Sequence, residues 1–278
     1  MIRLVRIPVP IIAAAFFLAS VASADVVSEW DTRACVVVLD ARLPTPLASR
    51  ALALTQTAVY EAVNAITARY PAGGMNISRS PGASVDAAVA AATRATLVPL
   101  VPQQKEAIEK AYADALAKIP DGAAKTEGIA VGERASAAVV AARADDVLAT
   151  VDGYRPRTAP GIYVPTVTPI AERWRECKPW ILSRADQFRP APPPKLTSKI
   201  WARDYNESKA VGGKQSAART PEQTEIARFW EATGPSIYHG LVRSVADSPG
   251  REVTQNARLY ATVCQAAQDA LIAVFDAK

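Results

Sequence analysis

Few residues in this chain combine the type and spacing that chemistry requires. There is a single histidine, His239, within Tyr238-His239-Gly240, and no second histidine with which it could share a metal. No GxSxG, HExxH, Ser-Gly-His or glycine-rich phosphate loop occurs, so acyl transfer by a serine elbow, zincin chemistry and P-loop phosphate binding have no sequence support. His239 therefore reads as a structural or surface residue. Asp145, Asp146 and Asp152 form an acidic group. Calcium needs six or more oxygen ligands, and paired acids at a helix end supply too few. Cys35, Cys177 and Cys264 lie too far apart for a CxxC motif. Cys35 with Cys177 is the one bridge to entertain in an oxidising compartment, and Cys264, on an apolar helix face, reads as a small buried hydrophobe.

These residues must be positioned by helices. The longest periodic stretch is Glu252 to Lys278, where Val253, Ala257, Tyr260, Cys264, Ala267, Leu271 and Val274 recur every three or four residues. Leu259, Ala261, Val263, Ala266, Ala270, Ile272 and Phe275 widen that face and leave Gln255, Arg258, Thr262, Gln265 and Asp269 on a narrow polar strip. The helix reaches Lys278 without Gly, Pro or a capping residue, the pattern of a chain cut before its end. A face this wide expects a second bundle against it; left uncovered, it would promote self-association.

The first 24 residues read as a removed signal peptide: Arg3 and Arg6, an apolar run from Ile7 to Val21, then Ala22-Ser23-Ala24. A membrane anchor is the competing reading, but the run falls short of the roughly 20 residues needed to span. The mature chain then starts at Asp25 in the periplasm or outside the cell, with no membrane span. The leader takes two arginines and no acids, leaving +3 of the formal +5. Basic residues are interspersed with acids, so no nucleic-acid or polybasic membrane surface is indicated.

Ser28-Glu29-Trp30-Asp31 resembles a capped helix start, and the β-branched run Cys35 to Leu39 reads as helix in preference to strand because no partner strand is nearby. Pro44 and Pro46 open a helix over about 47 to 68. Alanine-rich or amphipathic helices are predicted over 84 to 100, 103 to 118, and from Gly122 to about Leu148. Residues 152–196 carry nine of the 21 prolines together with Tyr154, Tyr163, Trp174, Trp180 and Phe188. They read as a strap laid over the bundle and pinned by its rings, or as the rim of a substrate channel. Thr220-Pro221-Glu222-Gln223 is a capping box opening a helix that turns Ile226, Phe229 and Trp230 inward. A short helix over about 237 to 245 precedes the last. The fold class is all-α, a first four-helix bundle plus the start of a second. The divisions are 1–24 signal peptide, 25–151 first bundle, 152–196 strap and 197–278 second bundle.

An internal echo supports two related bundles: Arg50-x2-Ala53-x4-Ala58-x2-Glu61-Ala62-x2-Ala65 recurs as Arg258-x2-Ala261-x4-Ala266-x2-Asp269-Ala270-x2-Ala273. Antiparallel packing of the two helices would set Arg50 against Asp269 and Arg258 against Glu61.

The segments AVYEAVNAI, IPDG, QFRPAPPPKLTS, RTPEQTEIARFW and NARLYATVCQAAQDALIAVFDAK, in that order, resemble the amino-terminal part of bacterial vanadium-dependent haloperoxidase-like proteins. That superfamily is shared with type 2 phosphatidic acid phosphatases and bacterial acid phosphatases. The resemblance implies two related four-helix bundles and a site for vanadate or phosphate built from Lys-x6-Arg-Pro, Pro-Ser-Gly-His and Ser-Arg-x5-His. Cationic side chains and N–H groups hold the oxyanion, one histidine ligates or attacks, and the other moves protons. Lys278 matches the lysine of the first motif; the remaining motif residues are not among the 278. Arg155-Pro156 and Arg189-Pro190 have Leu148 and Leu182 seven residues earlier, so neither is that motif. An ordinary lysine at a helix C-terminus, favoured by the dipole, is the plainer reading of Lys278. The resemblance thus implies vanadate as cofactor, peroxidase or phosphatase activity in a form with all three motifs, and inactivity of this chain alone. The competing class is a non-enzymatic helical remnant or binding module.

Overall fold

Helix α2, Thr45–Thr67, is the element on which the others are built. Most of its residues are buried, and several are small: Ala51, Ala53, Ala58 and Ala62 bring neighbouring helices close to its axis. The computed structural model describes residues 25–146, 157–167, 169–231, 234 and 236–278, so the leader, Asp152 and Tyr154 lie outside the described residues. Among the described residues the chain is all helical, without strands, a helical bundle of the expected class.

Helix α1, Val26–Asp40, precedes α2 and crosses it. Its cap is Asp25, whose Oδ1 accepts from Ser28 N at 2.9 Å; Ser28, expected to cap, is instead buried within the first turn. Helix α3, Val85–Leu100, is capped by Ser84 and presents an unbroken buried run of alanines and Val89 from Ala87 to Ala92. Alanine favours helix and leaves room for a close neighbour. That neighbour is α5, Ala123–Ala141, which follows the amphipathic α4, Lys105–Leu116. At Gly132 a Cβ would fall 2.4 Å from the Ala88 carbonyl oxygen, and at Gly128 the same distance from that of Ser84. The α3–α5 approach therefore depends on glycine. Helix α5 ends at Ala141, short of Leu148, because residues 142–145 turn to deliver Arg143 and Asp146 to the core.

Helices α6, Lys199–Val211, and α7, Pro221–Phe229, are well capped but contribute no buried residue. The Thr220–Gln223 capping box forms as expected. The inward face expected for α7 does not: Ile226, Phe229 and Trp230 are exposed, Phe229 by 75%. Periodicity marked a helix face, but among the described residues no other element lies over it. Helix α8, Ser236–Ala246, docks on α1 through Val242 and Ala246.

Helix α9, Val253–Ala277, lies along α2. Ala257, Tyr260, Ala261, Cys264 and Ile272 are buried. So is Asp269, against the expected polar strip, because three backbone N–H groups of the strap, those of Trp180, Ile181 and Leu182, donate to its carboxylate at 2.7–2.8 Å. The solvent-facing stripe is Arg258, Thr262, Ala266, Ala270 and Val274.

The strap is pinned by two of its rings. Trp174 is buried with Cys177 and Ile272, and Trp180 donates from Nε1 to Gln268 at 2.7 Å. Tyr163 and Phe188 remain exposed.

Candidate functional site

Three places in the bundle hold the residues singled out by chemistry. The first is the C-terminal end of α9. Lys278 is exposed and its Nζ lies 5.4 Å from the Phe275 ring centroid. It borders a cleft of about 640 Å³ whose walls include Pro46 of α2, Ile170 and Tyr163 of the strap, and Leu271 and Phe275 of α9. Among the described residues of this lining, Glu172 is the other charged one. Nearby, Asp276 is gripped by both Nε and Nη2 of Arg189, at 2.7 and 2.6 Å, which holds its carboxyl below the usual range and ties the strap to the helix end. The Arg189-Pro190 pair thus serves as a tether.

A multiply charged oxyanion requires several convergent donors. This cleft offers one ammonium, one carboxylate and mostly apolar walls, and the guanidinium of Arg189 is already engaged. The described residues do not, by themselves, fit vanadate or phosphate.

The second place is the anchor of the strap. Arg50 donates from Nε to Asp146 Oδ2 at 2.8 Å and from Nη2 to the Arg143 carbonyl at 3.0 Å, with both side chains buried. Asp146 Oδ1 accepts from Lys178 N at 3.2 Å. Arg143 donates to the Lys178 and Pro179 carbonyls and lies 3.5 Å from the Trp180 ring centroid; burial lowers the pKa of its guanidinium. Asp146 is therefore a clamp for the strap, its oxygens occupied by Arg50 and Lys178, and not part of a calcium site. The echo-based pairing is also corrected. Arg50 takes Asp146, Asp269 takes the backbone of 180–182, and Arg258 lies over the Tyr70 ring at 4.4 Å. Glu61 packs instead against the Gly73 backbone, where a Cβ would meet its Oε1 at 2.0 Å, and burial raises its pKa.

The third place surrounds His239, which is buried between α1, α8 and α9. Its Nδ1 lies 2.7 Å from Asp31 Oδ1, which also accepts from Gln56 Nε2 at 3.0 Å. Its Nε2 lies 3.7 Å from Cys264 Sγ. One ligand atom each of Asp31, Cys35 and His239 falls within 4.8 Å of the other two. Asp31 Oδ2 is buried without a hydrogen-bond partner, and Arg243 Nη2 stands 3.8 Å away from it. A carboxylate, imidazole and thiol in line is the arrangement of an activated nucleophile. Here Cys264 is buried, and desolvation pushes its thiol and that of Cys35 well up, so neither is an exposed thiolate.

His239 is buried, which removes the surface alternative, yet its companions were not visible in the sequence. Asp31 and Cys35 are one helical turn apart on α1, a signal that could have drawn attention to them. Cys264 is buried as expected. The Cys35–Cys177 bridge is not formed: Cys177 belongs to the Trp174 cluster, and Cys35 lies in the cluster with Cys264.

No protein-family profile matches the chain. No curated protein matches it either. Among solved structures, the chain is similar to a bacterial vanadium-dependent iodoperoxidase, with a TM-score of 0.72 at 20% identity, over 91% of this chain and 68% of that one. At that identity the likeness concerns the fold, which is haloperoxidase-like. Among the described residues no helix is long and apolar enough to cross a membrane.

Proposed function

We propose that the chain is an exported scaffold of a vanadium-dependent haloperoxidase-like protein, in which Lys278 is the lysine of an oxyanion site and the cleft beside it admits the substrate. What carries the reading is the position of Lys278, at the end of the helix that lies along α2 and at the mouth of a large, mostly apolar cleft, within a fold shared with an iodoperoxidase. The remaining donors and both histidines of the family's three motifs are not among residues 1–278. A form carrying them would hold vanadate or phosphate; with vanadate it would activate peroxide toward halide, and without it would hydrolyse phosphate esters. Residues 25–278 alone are expected to do neither above background. Assays of both reactions with vanadate supplied test this; turnover by residues 25–278 would return attention to His239.

Export places the mature N-terminus at Asp25, which is also the cap of α1 and accepts from Asn256 Nδ2 at 2.7 Å. Mass spectrometry of exported protein is expected to start at Asp25; an intact Met1 would remove the export reading.

The second reading is a non-enzymatic module that associates through apolar surface. Exposed Phe229, Trp230 and Leu241 favour it. Sedimentation that depends on concentration, and that is abolished by replacing these three with serine, would support it; a strict monomer would dismiss it.

A further inference from the structure

Helix α1 carries Asp31 and Cys35 one turn apart, and α8, which packs on it, brings His239 to the same place. One carboxylate oxygen of Asp31, the Cys35 sulfur and one ring nitrogen of His239 lie within 4.8 Å of one another, and all three residues are buried. The hydrogen bonds present do not use up this group, because Asp31 Oδ2 has no hydrogen-bond partner although it is sealed from water. A buried carboxylate oxygen left in that state costs free energy that apolar residues in the same space would avoid. We infer that Asp31, Cys35 and His239 are the protein ligands of a divalent cation of the zinc class.

Zinc bonds of about 2.3 Å to sulfur and about 2.0–2.2 Å to nitrogen and oxygen, set at tetrahedral angles, separate the ligand atoms by about 3.3–3.6 Å. His239 Nδ1 is 2.7 Å from Asp31 Oδ1, so this pair opens by about 0.6 Å, while Cys35 Sγ closes by at most about 1.3 Å. Both displacements are shorter than a carbon–carbon bond and within reach of side-chain rotation. The surrounding contacts hold the ligands in place. Gln56 Nε2 donates to Asp31 Oδ1 at 3.0 Å, and His239 Nε2 faces Cys264 Sγ at 3.7 Å. With His239 bonding through Nδ1, its Nε2 carries the ring proton and donates toward that sulfur, so Cys264 orients the imidazole and is not a ligand. A thiolate, an imidazole and a carboxylate select zinc over calcium or magnesium, which take oxygen ligands.

Charge and protons balance. Binding breaks the S–H bond of Cys35 and releases that proton to solvent, and the imidazole proton passes from Nδ1 to Nε2, so the ring stays neutral. The two positive charges of the ion are then met by one thiolate and one carboxylate. Arg243, whose Nη2 stands 3.8 Å from Asp31 Oδ2 and whose side chain is 33% exposed, turns to solvent as the ion takes over the carboxylate. A water completes the tetrahedron. The ion staples α8, which carries one ligand, to α1, which carries two, and burial means that it loads during folding or when α8 lifts. The role is independent of Lys278 and its cleft.

The test uses the whole chain, refolded with zinc or with cobalt(II) as a spectroscopic stand-in. One equivalent of zinc is expected by elemental mass spectrometry, with a melting temperature that falls on chelation. The cobalt form is expected to show thiolate-to-cobalt charge-transfer absorption in the near ultraviolet and tetrahedral bands in the visible. Cys35→Ser is expected to remove the charge-transfer band, whereas Cys264→Ser and Cys177→Ser keep it. Asp31→Asn and His239→Gln are each expected to weaken cobalt binding by at least the roughly tenfold that loss of an outer-shell partner costs. A folded wild type that takes up neither ion overturns the inference, as do cobalt spectra lacking a thiolate band. So does a thiolate band that survives in folded Cys35→Ser or vanishes in folded Cys264→Ser. Because the wild-type titration decides alone, failure of a variant to fold does not shield the proposal.

Discussion

The α2–α3–α5–α9 core and the α6–α7 segment are both helical and both well capped, yet they are held by different means. In the core, Ala87 to Ala92 are wholly buried and glycines let two backbones touch. In α6 and α7 no residue is buried, and the capping box at Thr220 is the strongest local determinant present. Capping and propensity are sufficient to write a helix, but burial decides how much that helix contributes to stability. The strap between these regions follows the same division. Its Trp174–Leu182 part is tied to α9 and to Arg143, whereas Phe188 is exposed.

The contrast is most readily broken at its strongest tie. Arg50→Ala leaves Asp146 as a buried charge without its partner and frees the strap anchor. It is expected to cost about 3–5 kcal/mol in urea denaturation; a loss near zero would mean that the clamp does not hold the core. Next in size is Gly132→Ala, whose Cβ would meet the Ala88 carbonyl at 2.4 Å. Forcing α3 and α5 apart is expected to cost about 1–3 kcal/mol. An unchanged midpoint would contradict the close approach.

Glu61 gives a smaller, pH-dependent effect. Its carboxyl has a folded-state pKa raised by burial above the ordinary 4.5. The folded state therefore binds the proton more tightly than the unfolded state, and stability falls as pH rises from about the unfolded value through the folded one. Glu61→Gln carries no such penalty. Its melting temperature relative to the parent is expected to climb across that interval and then level off, and a flat difference from acid to neutral pH would refute the assignment. At the small end, Phe229→Ala and Trp230→Ala in the uncovered segment are expected to stay within about 0.5 kcal/mol of the parent. Larger losses would mean that α7 has a packing partner after all.

How much of this was legible in the sequence depends on the range of the interaction. Helices governed by local signals were: the capping box at Thr220, the prolines opening α2, and the alanine run of α3 are all written within a few residues. The errors arise where a distant partner decides. Ile226, Phe229 and Trp230 have helical spacing, but spacing cannot say whether another element covers them. Asp269 was placed with the solvent strip because its three donors come from a segment nearly ninety residues away. Arg50 was matched to Asp269 by an echo, yet Asp146 reaches it first from the turn after α5. His239 looked alone because Asp31 and Cys264 are brought to it only by packing. The cleft beside Lys278 was not legible either, because its walls come from α2, the strap and α9.

The proposal about function stands on whether Lys278 needs the other motif residues to hold an oxyanion. An orthovanadate titration followed by vanadium NMR, on residues 25–278 and on a longer chain carrying Arg-Pro seven residues past Lys278 with both histidine motifs, tests that directly. The account predicts no binding to residues 25–278, with or without Lys278→Ala, and one bound vanadate on the longer chain that Lys278→Ala weakens by about a hundredfold or more. Stoichiometric vanadate on residues 25–278, or binding to the longer chain that is indifferent to Lys278, would contradict it.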